Sequence, residues 1–529
     1  MKYLVLCLGL LQISTNAFSQ ISMNTDLVGQ IDYPQFTNDI WGYVDDSGND
    51  YAIVGLKTGT SIVKVEADTL VEIDMILGED SIWRDIKTHG HYAYVTNETG
   101  SGLDIIDLSG LPQTVRFVGT YQASFTTAHN LYIADGFAYV AGSNGAQGVE
   151  ILDLSNPALP VRTGGWSADY FHDVFVLGDT LYASAASRGS VMILDISNKA
   201  QPVLMAEVVM PDGGFVHNAW ATPDGRYLMT TQENAGLTVK MWDIRDFSHP
   251  ILLDEYLSQP GNLAHNTHIS GDFAYISHYG DGLRIVDISD PTLLVEVGFY
   301  DTHQNDQGLF EGAWGAFPFT KSGLIYVSDE ENGLFVVSFN HRRAARAKGR
   351  ISDAQTGAPL VGATTTVLET SATELADSNG DYGLGFANPG SYTIRVSAEG
   401  HQTKDVSLTL AEGQTEMLDI KLQPLTTGVA EGDLTVPQSF VLEQNYPNPF
   451  NAGTTIRYEL SGQMRVSGKI FNVTGKEVRT LIDAQQPAGI YRINWDGSDN
   501  SGRMVSSGLY LLQLRAGAAT QTRKMIFVQ

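Results

Sequence analysis

Apolar and polar residues alternate along this chain in short runs, and no stretch sustains the spacing of an amphipathic helix. Leu-Asp-Ile-Ile-Asp at 103–107, Val-Glu-Ile-Leu-Asp at 149–153 and Leu-Arg-Ile-Val-Asp at 283–287 are such runs, and the latter two pass directly into Ser/Asn/Asp/Pro-rich turns. Each is preceded by an aromatic-rich run, Tyr-Ala-Tyr-Val at 92–95, Phe-Ala-Tyr-Val at 137–140 and Phe-Ala-Tyr-Ile at 273–276, and then a Gly-rich turn. A further apolar stretch follows the polar turn, as at 115–121 and 294–300. β-Branched and aromatic runs bounded by turn residues predict strands.

A three-residue phrase opens each unit of this pattern. It reads Asn38-Asp39-Ile40, Arg84-Asp85-Ile86, His129-Asn130-Leu131, His172-Asp173-Val174, His217-Asn218-Ala219, His265-Asn266-Thr267 and Glu311-Gly312-Ala313, at intervals of 46, 45, 43, 45, 48 and 46 residues. Periods of that length mark propeller blades or solenoid units, and four short strands per unit predict a propeller. The seventh unit stops at its third strand, residues 333–337, but residues 27–33 resemble the fourth-strand segment at 295–300. The N-terminal strand is therefore expected to complete the last blade and pair two edges that would otherwise be exposed.

The same phrase supplies the candidate chemistry. In a propeller it opens the innermost strand, so its first residue lies at the rim of the central channel, and the turn between the second and third strands reaches the same face. That face is expected to gather Asn38, Arg84, His129, His172, His217, His265 and Glu311, with Glu98, Glu233, His278, Asp281, Asp329, Glu330 and Glu331 from the turns. Three positions on stand Trp41, Lys87, Tyr132, Phe175, Trp220, His268 and Trp314, mostly aromatic. Aromatics beside polar groups suit a small ligand or sugar, which makes Asn38, Arg84, the four ring histidines, Trp220 and Trp314 the candidate ligand contacts. Imidazole and carboxylate groups converging from separate strands suit a divalent transition metal, with His129, His172, His217, His265, His268 and His278 as candidate ligands. Glu233 and Glu311 are the candidate general bases of a catalytic reading. The competing reading is bracing, in which the histidine and the Asp or Asn after it bond to the next blade's backbone. No H-E-x-x-H, Gly-x-Ser-x-Gly, P-loop or cysteine cluster is present to favour a named reaction.

Length and charge set the setting. At 529 residues the chain is too long for one core. The net charge of −28 argues against a nucleic-acid partner, which requires a basic surface. Residues 1–19 read as a signal peptide, with Lys2, an apolar core at 3–13 and Ala17-Phe18-Ser19 before the expected cleavage. The single cysteine, Cys7, lies inside that segment, so the mature chain is expected to lack disulfides, and no later segment is apolar for long enough to span a membrane. Residues 20–340 are assigned to the propeller and 341–347 to a basic linker, solvated in character, within a run that includes Arg342, Arg343, Arg346, Lys348 and Arg350.

Two further modules follow. Residues 348–423 contain Gly349-Arg350-Ile351-Ser352-Asp353, Thr356-Gly357-Ala358-Pro359-Leu360 and Pro389-Gly390-Ser391-Tyr392, and resemble the carboxypeptidase regulatory-like domain. That resemblance implies a transthyretin-like sandwich acting as spacer or adhesion unit; its Asp377, Asn379 and Asp381 form an oxygen-rich turn that is a minor calcium candidate. After a linker at 424–436, residues 437–529 contain Asn445-Tyr446-Pro447-Asn448-Pro449-Phe450-Asn451, Ile470-Phe471-Asn472-Val473-Thr474-Gly475 and Gly508-Leu509-Tyr510. These resemble the type A C-terminal sorting domain of the type IX secretion system, which is similar to the Ig-like domain of flagellar hook-capping proteins. The repeats, with Ile-Val-Asp-Ile-Ser-Asp-Pro at 285–291, resemble the LVIVD-repeat propeller of the choice-of-anchor B family. The resemblances imply an all-β protein, a seven-bladed propeller followed by transthyretin-like and Ig-like sandwiches, secreted or held on the outer surface of a bacterium with an outer membrane. Its implied partners are the type IX machinery through 437–529 and surface polysaccharide at the point of attachment; the histidine-lined face is expected to take a glycan, metal or protein ligand. A non-enzymatic binding protein is the leading expectation, and a secreted metal-dependent hydrolase or lyase the alternative.

Overall fold

The computed structural model describes residues 21–66, 69–259, 261–304, 309–425, 440–448, 450–451, 453–500 and 503–527. The expected signal peptide and most of the 424–436 linker lie outside the described residues. Among those residues the chain is all strand and loop apart from one 3-10 turn at Ala186–Arg188, and no helix is long and apolar enough to cross a membrane. The chain divides into two compact units, Met1–Leu425 and Thr426–Gln529.

In the first unit the described residues form seven antiparallel sheets that follow the sequence period. Blade 1 runs through Thr37–Val44, Asp50–Leu56, Gly59–Glu66 and Thr69–Leu77. Blades 2 to 6 repeat the order with innermost strands at Ile86–His89, Asn130–Ala134, Val174–Leu177, Val216–Ala221 and Thr267–Ser270. Blade 7 has Ala313–Phe317, Ile325–Asp329 and Gly333–Phe339, and its fourth strand is Thr25–Ile31 from the N-terminus. Two details show that this strand occupies the place of an ordinary fourth strand. The pairing of the third and fourth strands carries a register shift in every blade, and the closing pair has it too, between Leu27 and Gly29. The glycine before the third strand has a positive φ and no room for a Cβ: at Gly282 (φ +74°) it would meet the Tyr300 carbonyl at 2.3 Å, and at Gly333 (φ +85°) the Ile31 carbonyl at 2.1 Å.

Alternation buries one residue set of each sheet against the next blade, so the core is a series of inter-blade layers. Tyr94, Leu131, Val140 and Leu152 join blades 2 and 3, and Val191, Val216, Leu228 and Met241 join blades 4 and 5.

The first unit also contains a two-sheet sandwich, with Asp381–Phe386, Ala345–Asp353, Thr415–Met417 and Ile420–Leu422 in one layer and Thr373–Leu375, Thr364–Val367, Gly390–Ser397 and Lys404–Leu410 in the other. Here the structure corrects the basic linker at 341–347. Strand Ala345–Asp353 begins inside it, and Ala344, Ala345, Arg346 and Ala347 are buried. Arg346 bonds the carboxylate of buried Asp287 at 3.0 Å and the carbonyls of Asp287 and Leu293 at 3.1 Å, while Arg343 pairs with Asp272 at 2.7 Å. The positive run is complementary to the turn after blade 6's third strand, and the sequence pattern alone did not reveal that this turn faces it. The second unit is a separate sandwich, with Val441–Leu442, Thr454–Leu460 and Gly489–Trp495 facing Glu477–Gln486, Met464–Asn472, Gly508–Ala516 and Ala519–Phe527 over a core that includes Tyr458, Trp495 and Phe527.

Candidate functional site

The second residue of the phrase joins the blades. Asp39 accepts the Ile86 N–H at 3.3 Å, Asp85 that of Leu131 at 3.1 Å, Asn130 that of Val174 at 3.2 Å and Asn218 that of Thr267 at 3.2 Å. Between blades 4 and 5 the carboxylate of Asp173 takes the side-chain amide of Asn218 at 3.1 Å. A hydroxyl near the end of the second strand adds another tie, Thr96 to the His129 carbonyl at 3.0 Å and Thr231 to the His265 carbonyl at 2.6 Å. The backbone of His129 and of His265 is thereby fixed, and the rings bond close by rather than to the next blade: His129 Nδ1 meets Glu98 at 2.5 Å and His172 Nδ1 meets the adjacent Asp173 at 2.9 Å. At the junction of blades 6 and 7 the Asn266 Oδ1 is buried without a hydrogen-bond partner, and His265 makes the crossing bond instead, its Nδ1 donating to the Trp314 carbonyl at 2.6 Å.

Four imidazoles form an arc. Ring centroids are 3.9 Å apart for His129 and His172, 4.3 Å for His172 and His217, and 4.0 Å for His217 and His265; the arc ends on Trp314, 4.3 Å from His265. They form part of the wall of a cup of about 520 Å³, completed by Glu98, Glu233, Glu330, Tyr279 and a set of apolar side chains. Below it a tier of aromatics fills the axis: Tyr132 lies 5.6 Å from Trp220, Trp220 4.6 Å from His268, and His268 6.1 Å from Trp41. Only about 40 Å³ is enclosed between arc and tier, so the site is closed at its floor.

The structure sorts the sequence candidates. His129, His172, His217, His265, Trp314, Glu98, Glu233 and Glu330 line the cup. Trp220 and His268 belong to the floor tier. Asn38 and Arg84 do not reach the cup: Asn38 donates to the Ile82 carbonyl at 3.0 Å, and the Arg84 guanidinium bonds the Leu56 carbonyl at 2.7 Å and that of Glu79. Both are long enough to fold back onto orphan carbonyls between blades 1 and 2, and do so. His278 sits beside Asp281 at 3.0 Å, away from the cup, and Glu311 lies 3.8 Å from His303, outside the lining. In the sandwich, Asp377 caps its own turn by accepting the N–H groups of Asn379 and Asp381, and Asp381 pairs with Arg350. Sequence reasoning missed the apolar wall, Phe36, Ile82, Tyr170 and Phe215, although all four stand two residues before the phrase.

Burial sets the charge of the arc. His265 is pushed down to about 3 by burial, and His217 well below the usual imidazole range by burial and its neighbours His265 and His172. His172 is pushed down by burial and by His129. Burial also works against charge on His129, but the Glu98 carboxylate 2.5 Å from Nδ1 outweighs it and carries its pKa up. Glu233 is raised by burial, and Glu330 is raised to about 9 by burial and by the nearby Glu331 and Asp329 carboxylates. The cup thus presents neutral imidazoles at His172, His217 and His265, the His129–Glu98 pair, a carboxyl held protonated and aromatic faces, an arrangement able to bind a small polar ligand or a cation.

Comparison with known proteins adds the following. The LVIVD repeat family matches residues 83–121, 127–165, 170–209 and 261–302, which fall on blades 2, 3, 4 and 6. The carboxypeptidase regulatory-like domain matches 346–423, and the FlgD Ig-like domain matches 449–520. No curated protein matches the chain. Among solved structures, the chain is similar to hydrazine synthase of Kuenenia stuttgartiensis, at 16% identity and a TM-score of 0.45 over 59% of this chain and 98% of that one. It is also similar to putative 6-phosphogluconolactonases of Bacteroides uniformis (12%, TM-score 0.39, 49% of this chain and 84% of that one) and Bacteroides fragilis (12%, 0.40, 49% and 83%). The protein is therefore a nearly all-β chain that carries LVIVD repeats and a carboxypeptidase regulatory-like domain.

Proposed function

We propose that this chain is a binding protein of the cell surface or extracellular space, and that the histidine-lined cup is where it holds its ligand. The repeats and the carboxypeptidase regulatory-like domain fit a surface or secreted propeller protein. One observation carries the binding role: bracing falls mainly to the second phrase residue, while the rings of His129, His172 and His217 line a cup of about 520 Å³, His129 held there by Glu98 and His172 by Asp173. A cup of that size with convergent polar groups suits a small ligand or one terminal glycan unit. Trp314 and Phe215 offer faces for a sugar ring, and the imidazoles and Glu233 offer hydrogen bonds.

The export route belongs to the same proposal. Residues 437–529 act as the type IX sorting domain, delivering the propeller and its sandwich outward for release or for attachment to surface polysaccharide. A reporter fused to 437–529 is expected outside the outer membrane; retention in the periplasm removes this part of the reading.

For the cup, the full chain is applied to an array of neutral and acidic glycans beside Trp314→Ala. Binding weakened at least about tenfold by the substitution is expected, since a buried aromatic anchor contributes 1.4 kcal/mol or more. Equal binding by both proteins, or none, contradicts the reading. A metal-dependent hydrolase or lyase is the second reading, favoured by one specific observation, the Glu330 carboxyl held protonated in the same wall as Glu233. Turnover on ester or polysaccharide panels would replace the first reading with the second.

A further inference from the structure

Three residues in the cup are arranged as a ligand set. His217, Glu233 and His265 each bring one donor atom to within 4.8 Å of the others. They come from separate elements: His217 from the start of blade 5's first strand, Glu233 from the turn after that blade's second strand, and His265 from the loop entering blade 6. In a tetrahedral zinc site, ligand atoms about 2.0–2.1 Å from the ion lie roughly 3.3 Å apart, so closure asks for shifts of about an ångström.

The surroundings of each donor favour a cation. His265 donates Nδ1–H to the Trp314 carbonyl, which leaves its Nε2 with the lone pair. An imidazole whose other nitrogen is held by a carbonyl is the usual outer-shell arrangement of a metal-binding histidine. The Tyr279 hydroxyl donates to one oxygen of Glu233 at 2.5 Å, orienting the carboxylate and leaving the second oxygen open. His217 Nδ1 is buried without a hydrogen-bond partner, the Asp173 carboxylate standing 3.8 Å away, beyond hydrogen-bond reach. The cup wall holds Glu98, Glu233 and Glu330 and, among the described residues, no lysine or arginine to compete for the place.

A second cluster, His129, His172 and Asp173, meets the same distance limit but is already spent. Its carboxylate takes His172 Nδ1 at 2.9 Å and the Asn218 amide at 3.1 Å, and His129 Nδ1 is hydrogen-bonded to Glu98. A third, His303, Asp329 and Glu331, lies outside the cup, and Asp329 there accepts Thr302 Oγ1 at 2.8 Å and caps its own turn.

We infer that His217, Glu233 and His265 bind one divalent transition metal, of which zinc is the chemical type, with its remaining position open to the cup. The inference rests on the reading of the cup as the ligand site and deepens it: the open position would take an oxygen of the bound molecule.

The test uses the full chain, stripped with a chelator and titrated with Co²⁺, a spectroscopic substitute for Zn²⁺. One equivalent with visible d–d bands of low coordination number is expected, with affinity lowered at least tenfold in Glu233→Gln and His265→Gln and unchanged in His303→Gln. Should His265→Gln fail to fold, Glu233→Gln carries the test, because it keeps the side-chain volume and the Tyr279 contact. Absence of Co²⁺ binding overturns the inference, as does binding that survives Glu233→Gln and disappears in His303→Gln or His129→Gln. The glycan array is repeated with the metal-free chain. Glycan binding without Co²⁺ binding removes the metal and leaves the cup; Co²⁺ binding without any glycan binding keeps the metal and removes the glycan.

Discussion

Asp85 Oδ2 accepts the backbone N–H of Leu131 at 3.1 Å, from one blade to the next. The same bond recurs at Asn130 to Val174 and Asn218 to Thr267. Asn130→Ala and Asn218→Ala each leave a buried N–H unpaired, which costs about 1–3 kcal/mol. At roughly 2–4 °C per kcal/mol for a chain of this class, each is expected to lower the propeller's melting midpoint by several degrees. Calorimetry checks this, and an unchanged midpoint would show that the ties carry no stability.

Closure by Thr25–Ile31 makes the ring depend on its N-terminus. Removing residues 21–31 exposes the outer edge of Gly333–Phe339, a strand whose residues are mostly buried. The expected result is aggregation or a midpoint lowered by more than about 10 °C, several kcal/mol of lost pairing and burial. Size-exclusion chromatography and a thermal melt of the truncated chain decide it, and a monodisperse, equally stable product would contradict the closure's importance.

Arg346 and Asp287 bind the propeller to the sandwich with both side chains buried. Arg346→Ala leaves the carboxylate without its main counter-charge, a loss of about 3–5 kcal/mol. The wild-type chain is expected to resist limited proteolysis at 341–347 and Arg346→Ala to be cut there. Equal cleavage of both would restore the picture of a solvated linker.

The pH dependence has two limbs of opposite origin. His265 and His268, both pushed down to about 3 chiefly by burial, stay neutral in the fold while the unfolded chain takes protons near 6.5, so their contribution is lost as pH falls from about 6.5 toward 3. Each adds a slope of about 1.4 kcal/mol per pH unit inside that window. Glu330, raised to about 9 by burial and neighbouring carboxylates, does the reverse: its contribution is full below about 4.5 and lost as pH rises through 9. Melting midpoints across pH 4–10 are expected to fall at both ends, with Glu330→Gln flattening the alkaline limb and His268→Gln the acid one. Profiles unchanged by these substitutions would refute the assignments.

The period, the blade count and the closing strand were legible because each is written locally, in repeated turn glycines, alternating strands and a phrase at nearly constant spacing. The arc of His129, His172, His217 and His265 was legible for the same reason. Side chains long enough to choose between directions were not: Arg84 and Asn38 occupy the same repeat position as the histidines but turn back to carbonyls, and Glu311 reaches His303. Arg346 was misread because a basic run looks the same in solvent and against a buried carboxylate. The apolar wall at Phe36, Ile82, Tyr170 and Phe215 had a signal two residues ahead of the phrase, which a search for polar chemistry passes over.

On the proposed reading the phrase divides its labour, with the Asp or Asn bracing the ring and the histidines before it serving the cup. The most direct test compares the melting midpoints of two metal-free double variants of the full chain, His172→Gln/His217→Gln and Asn130→Ala/Asn218→Ala. The histidine pair is expected to melt within about 2–4 °C of wild type, equivalent to 1 kcal/mol, and the asparagine pair well below it. A histidine pair that melts as low as the asparagine pair would mean that the imidazoles are themselves the braces.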